Sequence, residues 1–213
     1  MRRTMQILGV LLVLSLIYAI VVGLGLTRSF KRHKDTKKIQ IINDFEYDMD
    51  DFDWTTGGYA KMEPSKENQT HGKKSAKATF LLAGQFFSTP TLDVVWQPQL
   101  ILDTNSVTKL SVFEWQEFGA LKWDVYNPQD QPVTYHAQVA DARSFVYETS
   151  GTLTPKKVTN ISVDLDELLQ NRLDLTNIRS FKFWVDTMGA TQPVVVYLDY
   201  LRLEGEPAPV KKK

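Results

Sequence analysis

The sequence predicts an all-β fold, a jelly-roll β-sandwich of about ten short strands, preceded by a single N-terminal transmembrane helix. Three observations predict it. Apolar and polar side chains alternate with a period of two through most of residues 39–204. Turn residues interrupt that alternation at short intervals, and one uncharged apolar run stands ahead of it.

The run from Ile7 to Leu26 holds 20 residues without a charge. At ~1.5 Å per residue a helix of that length spans roughly 30 Å, the thickness of a bilayer's hydrocarbon core. A cleavable leader has an apolar core of only about 7–15 residues and a small-residue cleavage site. This run is longer and lacks such a site, so residues 1–27 read as an uncleaved signal anchor. Ser15, Ala19 and Gly23 recur every fourth residue. They set small side chains on one helix face, where a second copy or a partner helix can approach closely. Residues 28–38 are basic and aperiodic and read as a stalk beside lipid headgroups. Six Lys/Arg follow the apolar run and two precede it, a bias that points the body toward the cytoplasm.

The strands follow in order. Residues 39–47 and 58–63 open the body. At 74–82, Ala76, Ala78, Phe80 and Leu82 face one way and Ser75, Lys77 and Thr79 the other. Residues 92–102 turn Leu92, Val94 and Trp96 inward. Leu121, Trp123 and Val125 alternate with Lys122, Asp124 and Tyr126. Val133, Tyr135, Ala137 and Val139 alternate with Thr134, His136 and Gln138. Phe181, Phe183 and Val185 alternate with Lys182, Trp184 and Asp186. Further strands are expected at 144–148, 157–163 and 193–203. Gly57-Gly58, His71-Gly72, Asn127-Pro128, Gly151 and Pro193 supply the turns. Trp54 and Trp115 fall in expected loops. Only Asp164–Leu175 has a helical pattern, with Asp164 as its cap, Glu167 three residues on, and Leu165, Leu168 and Leu169 on one face. The sandwich then occupies residues 39–206, and 207–213 form a polar tail.

Composition excludes several functions. Formal net charge is zero, but residues 1–38 carry eight Lys/Arg against Asp35, whereas residues 39–210 carry 14 basic and 24 acidic side chains, a net of −10. A body so acidic is not a nucleic-acid partner, because phosphates require a basic face. No cysteine is present, which removes disulfides, thiolate metal sites and thiol catalysis. No G-x-S-x-G elbow, phosphate loop or H-E-x-x-H occurs, and the acids form no close catalytic strand motif, so the chain is not read as an enzyme. The acidic group Asp48, Asp50, Asp51 and Asp53 lacks the mid-loop glycine of an EF-hand and reads as a solvated loop.

Five segments together resemble the carbohydrate-binding modules with a galactose-binding-like jelly roll: IINDFEYD (41–48), HGKKSAKATF (71–80), WQEFGALKWDVYNPQDQPV (115–133), ISVDLDELL with LDLTNIRSFKFWV (161–185), and VVVYLDYLRLE (194–204). Several such modules hold a structural calcium between their first and last strands. The resemblance implies Ca²⁺ at Glu46, with Asp44, in the opening strand and at Asp199 in the closing one, completed by carbonyls around Lys73. The hard oxygen donors suit that ion.

Three strands present mixed outer faces, Lys122, Asp124 and Tyr126; Thr134, His136 and Gln138; Lys182, Trp184 and Asp186. Sugars are bound by an aromatic ring on their C–H face with polar side chains reading the hydroxyls. If the strands share one concave sheet, Trp184 and Tyr126 are platforms, Lys122 and Gln138 flank them, and Asp124, His136 and Asp186 are readers. The function expected is a membrane-anchored, non-catalytic module binding a glycan or glycosylated surface, with its β-domain outside the cytoplasm against the charge bias. The alternative is a scaffold subunit of a membrane or envelope complex, using the sandwich for protein contacts.

Overall fold

Period-two alternation fixes which side chains of a strand share a face, and hydrogen-bond pairing then decides which strands share a sheet. The computed structural model describes residues 38–46, 54–57, 60–82, 98–103 and 115–205, all within one compact unit, Lys38–Lys213. The apolar run with Ser15, Ala19 and Gly23, most of the stalk, Trp96, the acidic group Asp48–Asp53 and the tail lie outside the described residues. Among the described residues no helix is long and apolar enough to cross a membrane.

The strands are β1 Ile39–Asn43, β2 Trp54–Gly57, β3 Ala60–Ser65, β4 Ser75–Phe80, β5 Gln99–Asp103, β6 Ala120–Asn127, β7 Val133–Asp141, β8 Val146–Leu153, β9 Lys157–Asp164, β10 Ile178–Val185 and β11 Val194–Glu204. They build two antiparallel sheets. One runs β3-β4-β11-β6-β9, with β1 also paired to β11; the other runs β2-β5-β10-β7-β8. The long β11 gives its first half to β4 (Val194–Leu198) and its last residues to β1, and its register with β6 shifts between Asp199 and Arg202. At that kink Tyr200 takes φ +52°, a conformation non-glycine residues rarely adopt.

Inward side chains of both sheets fill the space between them. Trp123 of β6 meets Phe181 of β10 edge-on, centroids 5.1 Å apart, and Phe80 of β4 reaches Phe183 of β10 at 6.3 Å. Such tilted aromatic pairs bind the two layers beyond the area they bury. Trp54 and Trp115 are corrections to the sequence expectation. Trp54 sits in β2, buried against Phe181, and Trp115 opens a 3-10 turn (Trp115–Glu117) with no exposed surface. The helix is shorter than expected. Asp164 does cap it, accepting from the Asp166 N–H, but α1 covers only Leu165–Gln170. Arg172 then turns to φ +68°, and Leu173 and Leu175 enter the core as non-helical chain.

Candidate functional site

The expected face divides between the two sheets. β7 and β10 are neighbours, and His136 pairs in register with Trp184, Gln138 with Lys182. The His136 and Trp184 rings stack at 5.3 Å with 6° between their planes. The Asp186 N–H donates to the Thr134 carbonyl at 2.9 Å, closing the pair of strands at one end. Glu148 and Ser150 of β8 extend the row on one side, and Ile101 of β5 lies beside Lys182 on the other. His136, Gln138, Trp184 and Asp186 therefore form one continuous strip. Trp184 is only 8% exposed, so its ring is packed rather than offered as an open platform.

Lys122, Asp124 and Tyr126 do not join that strip, a correction to the single-sheet expectation. β6 belongs to the six-stranded sheet, between β11 and β9. Alternation placed these side chains outward correctly, but it carries no information about sheet membership. Their polar groups are also committed. Lys122 Nζ lies 3.3 Å from Glu204, Arg202 bridges Glu204 at 3.2 Å and Asp124 at 3.7 Å, and the Asn160 amide donates to Asp124. Tyr126 packs against Tyr197 at 6.2 Å. This lattice ties β6, β9 and β11 together, and charged groups already satisfied this way are poor readers of ligand hydroxyls.

Glu46 and Asp199 do converge on one segment, the loop before β4. Asp199 Oδ2 accepts from the Thr70 N–H (2.6 Å), the His71 N–H (2.8 Å) and the Thr70 hydroxyl (3.1 Å), and Oδ1 accepts from the Tyr200 N–H (2.7 Å). Glu46 Oε1 accepts from the Lys73 and Lys74 N–H groups, which hold its carboxyl below the usual range. Asp44 Oδ1 faces the Glu46 N–H at 3.4 Å. Gly72 stands between, at φ +67°, where an added Cβ would lie 2.2 Å from Glu46 Oε1. The His71 ring stacks on Tyr200 at 4.0 Å, and the Arg202 guanidinium lies 4.1 Å from the Tyr200 ring centroid.

A calcium sphere gathers six to eight oxygens, carbonyls among them. Here the loop turns N–H donors toward both carboxylates, and no group of three His or acidic side chains converges among the described residues. As placed, these residues do not fit the ion. With the loop closed by these hydrogen bonds, thermal melts in calcium and in chelator should coincide. A calcium-dependent rise of more than about 4 °C would show instead that the loop inverts to present carbonyls.

No family model matches the sequence, and no curated protein matches it. Solved structures do. The family 11 carbohydrate-binding module from Clostridium thermocellum, in complex with a β-1,3-1,4-mixed-linked tetrasaccharide, aligns with a TM-score of 0.52 at 12% identity, covering 79% of this chain and 96% of that one. An exo-β-agarase aligns at 0.53 and 14% identity, and the agarase AgWH50C at 0.54 and 11%. They cover 78% and 80% of this chain but only 25% of each agarase. At these identities the likeness is one of fold alone, the two-sheet jelly-roll sandwich that this chain shares with them.

Proposed function

We propose that the chain is a membrane-anchored, non-catalytic carbohydrate-binding module whose ligand lies across the outer strip of β7 and β10. The observation that carries this reading is the stacked, in-register His136–Trp184 pair, bordered by Gln138, Lys182, Thr134 and Asp186 on the same outer strip. The partly exposed His136 ring, backed by the packed Trp184 indole and bordered by amide, hydroxyl and carboxylate groups, offers a surface on which a pyranose can rest. The fold it sits on is shared with a module solved in complex with a β-1,3-1,4-mixed-linked tetrasaccharide. The net −10 of the body disfavours polyanionic glycans, so the ligand class is a neutral polysaccharide. The apolar run at Ile7–Leu26 anchors the module, with the sandwich on the extracytoplasmic side.

The test uses the full chain in a detergent without a sugar headgroup, run against immobilised neutral glucan, xylan, mannan and galactan. Saturable retention on one class is expected. His136→Ala and Gln138→Ala should each weaken it about tenfold; Gln138→Ala leaves the melting curve in place, and His136→Ala, which gives up the stack on Trp184, lowers it by only a few degrees. Retention unchanged in both variants would remove the strip as the site. A folded wild-type chain that binds none of the panel would overturn the module reading and favour a protein-binding scaffold.

A further inference from the structure

At one end of the sandwich, the β6–β7 turn (128–132) faces the β10–β11 turn (186–193) across an open groove of about 670 Å³. That volume lies within the ~300–1,000 Å³ of small-ligand sites. We propose that this groove is a second subsite, taking one uncharged sugar unit of the glycan that occupies the strip; the inference rests on the reading above.

Four observations support it. First, the groove continues the strip. Thr134 and Asp186 line it, and each stands two residues along its strand from His136 and Trp184. Second, the described residues that line it include Asp130 and Asp186 but no Lys, Arg or His, and the adjacent Lys156 is held by Asp130 at 3.3 Å and by the Pro128 carbonyl, so a phosphate, sulfate or carboxylate would meet carboxylates rather than a free counter-charge. Third, its polar lining is rich in groups that both donate and accept, with Gln129, Gln131 and Gln192 among them. Carboxamides match the mixed demands of sugar hydroxyls. Met188, 81% exposed at the rim, supplies an apolar surface for a C–H face.

Fourth, both turns are held in place. The Gln129 Nε2–H donates to the Val195 carbonyl at 2.7 Å, and its N–H to Asn127 Oδ1 at 3.0 Å. The Asn127 amide donates to the Gln131 carbonyl at 2.9 Å, and Asp186 Oδ1 accepts from the Met188 N–H at 2.8 Å. Pre-positioned walls lower the ordering cost of binding.

The experiment compares the wild-type full chain, Gln131→Ala/Gln192→Ala, Met188→Ala and His136→Ala. The probes are the di- and tetrasaccharides of β-1,3-1,4-glucan, xylan and mannan, with dextran sulfate as the anionic control. Gln131, Gln192 and Met188 are exposed, so their removal should leave the melt unchanged. The groove variants are expected to lose about tenfold in affinity for the tetrasaccharide that binds and little for its disaccharide, whereas His136→Ala weakens both. Groove variants that bind both lengths like wild type, beside a defective His136→Ala, would overturn the subsite and leave the strip reading standing. Losses in the groove variants with none in His136→Ala would remove the strip and with it the groove's role as a second subsite, leaving the groove as a site by itself. Binding to dextran sulfate that the groove variants abolish would overturn the neutral-sugar assignment. A wild-type chain binding no probe would overturn both readings together.

Discussion

Trp184→Ala is expected to destabilise the sandwich by about 3–5 kcal/mol, the range for removing a large packed aromatic. The alternation of β10 sends this ring to the outer face, yet it is 8% exposed and stacks on His136. Truncation therefore removes buried apolar area and an aromatic contact together, leaving a cavity over the middle of the five-stranded sheet. Against a typical domain stability of roughly 5–15 kcal/mol this is a large fraction. Urea unfolding followed by circular dichroism measures it directly. A loss under about 1 kcal/mol would mean that the ring is not packed as described. Loss of glycan retention in this variant would not by itself locate a ligand contact. Trp184→Phe, which preserves much of the packing, and His136→Ala separate recognition from folding.

Asp141→Ala should cost about 2–4 kcal/mol, through a different mechanism, the loss of a buried acceptor shared by several N–H donors. The Asp141 side chain has no exposed surface. Oδ1 accepts from the Arg143 and Phe145 N–H groups, and Oδ2 from the Asp174 N–H and the Arg143 guanidinium. One carboxylate thus joins the β7–β8 turn to the chain leading into β10. Removing it strands donors that have no substitute. Burial pushes its carboxyl up, but the N–H of Asp174, the Arg143 guanidinium and the N–H of Phe145 outweigh burial and leave it below the usual 3.8. A depressed folded value contributes stability that is present above the unfolded pKa and is lost as pH falls through the folded one. Wild-type urea midpoints should therefore drop below about pH 4, and Asp141→Asn should flatten part of that decline. An equally steep decline in the variant would refute the assignment.

Asp199 works in the opposite direction. Burial raises its carboxyl despite the N–H donors of His71, Thr70 and Tyr200. Its contribution is present below the unfolded pKa and declines as pH rises through the raised folded value. The two buried aspartates therefore tilt the stability curve in opposite senses.

The alternating strands were the legible part of this fold. Facing directions in β6, β7 and β10 followed from period two, and so did the burial of Trp123, Phe181 and Phe183. The grouping of Lys122, Asp124 and Tyr126 with His136 and Trp184 failed for a physical reason. Alternation is a property of one strand, whereas sheet membership depends on partners such as β11, which pairs with β6 from some 70 residues away. Trp54 and Trp115 were missed because short elements carry too few residues to show a period, although the area of an indole is strong reason for burial. Leu173 and Leu175 extended the helical pattern past Gln170, but they reach the core after the chain has turned at Arg172. The groove residues Gln129, Gln131, Met188 and Gln192 lie in turns, which have no period. Their only sequence signal was two stretches ending in Pro, the Gln-rich PQDQP (128–132) and DTMGATQP (186–193) with its Thr and Gln.

The Gly205 N–H donates to the Lys38 carbonyl at 2.9 Å, next to the Ile39–Glu204 rung of β1 and β11. The sandwich is therefore a closed circuit, with its point of entry and its point of exit a single hydrogen bond apart. A domain of this form can be spliced into a surface loop of another protein, or re-cut at a different turn with these two points joined, without reordering its sheets. The identity of the first and last strands is then a matter of where the circuit is opened.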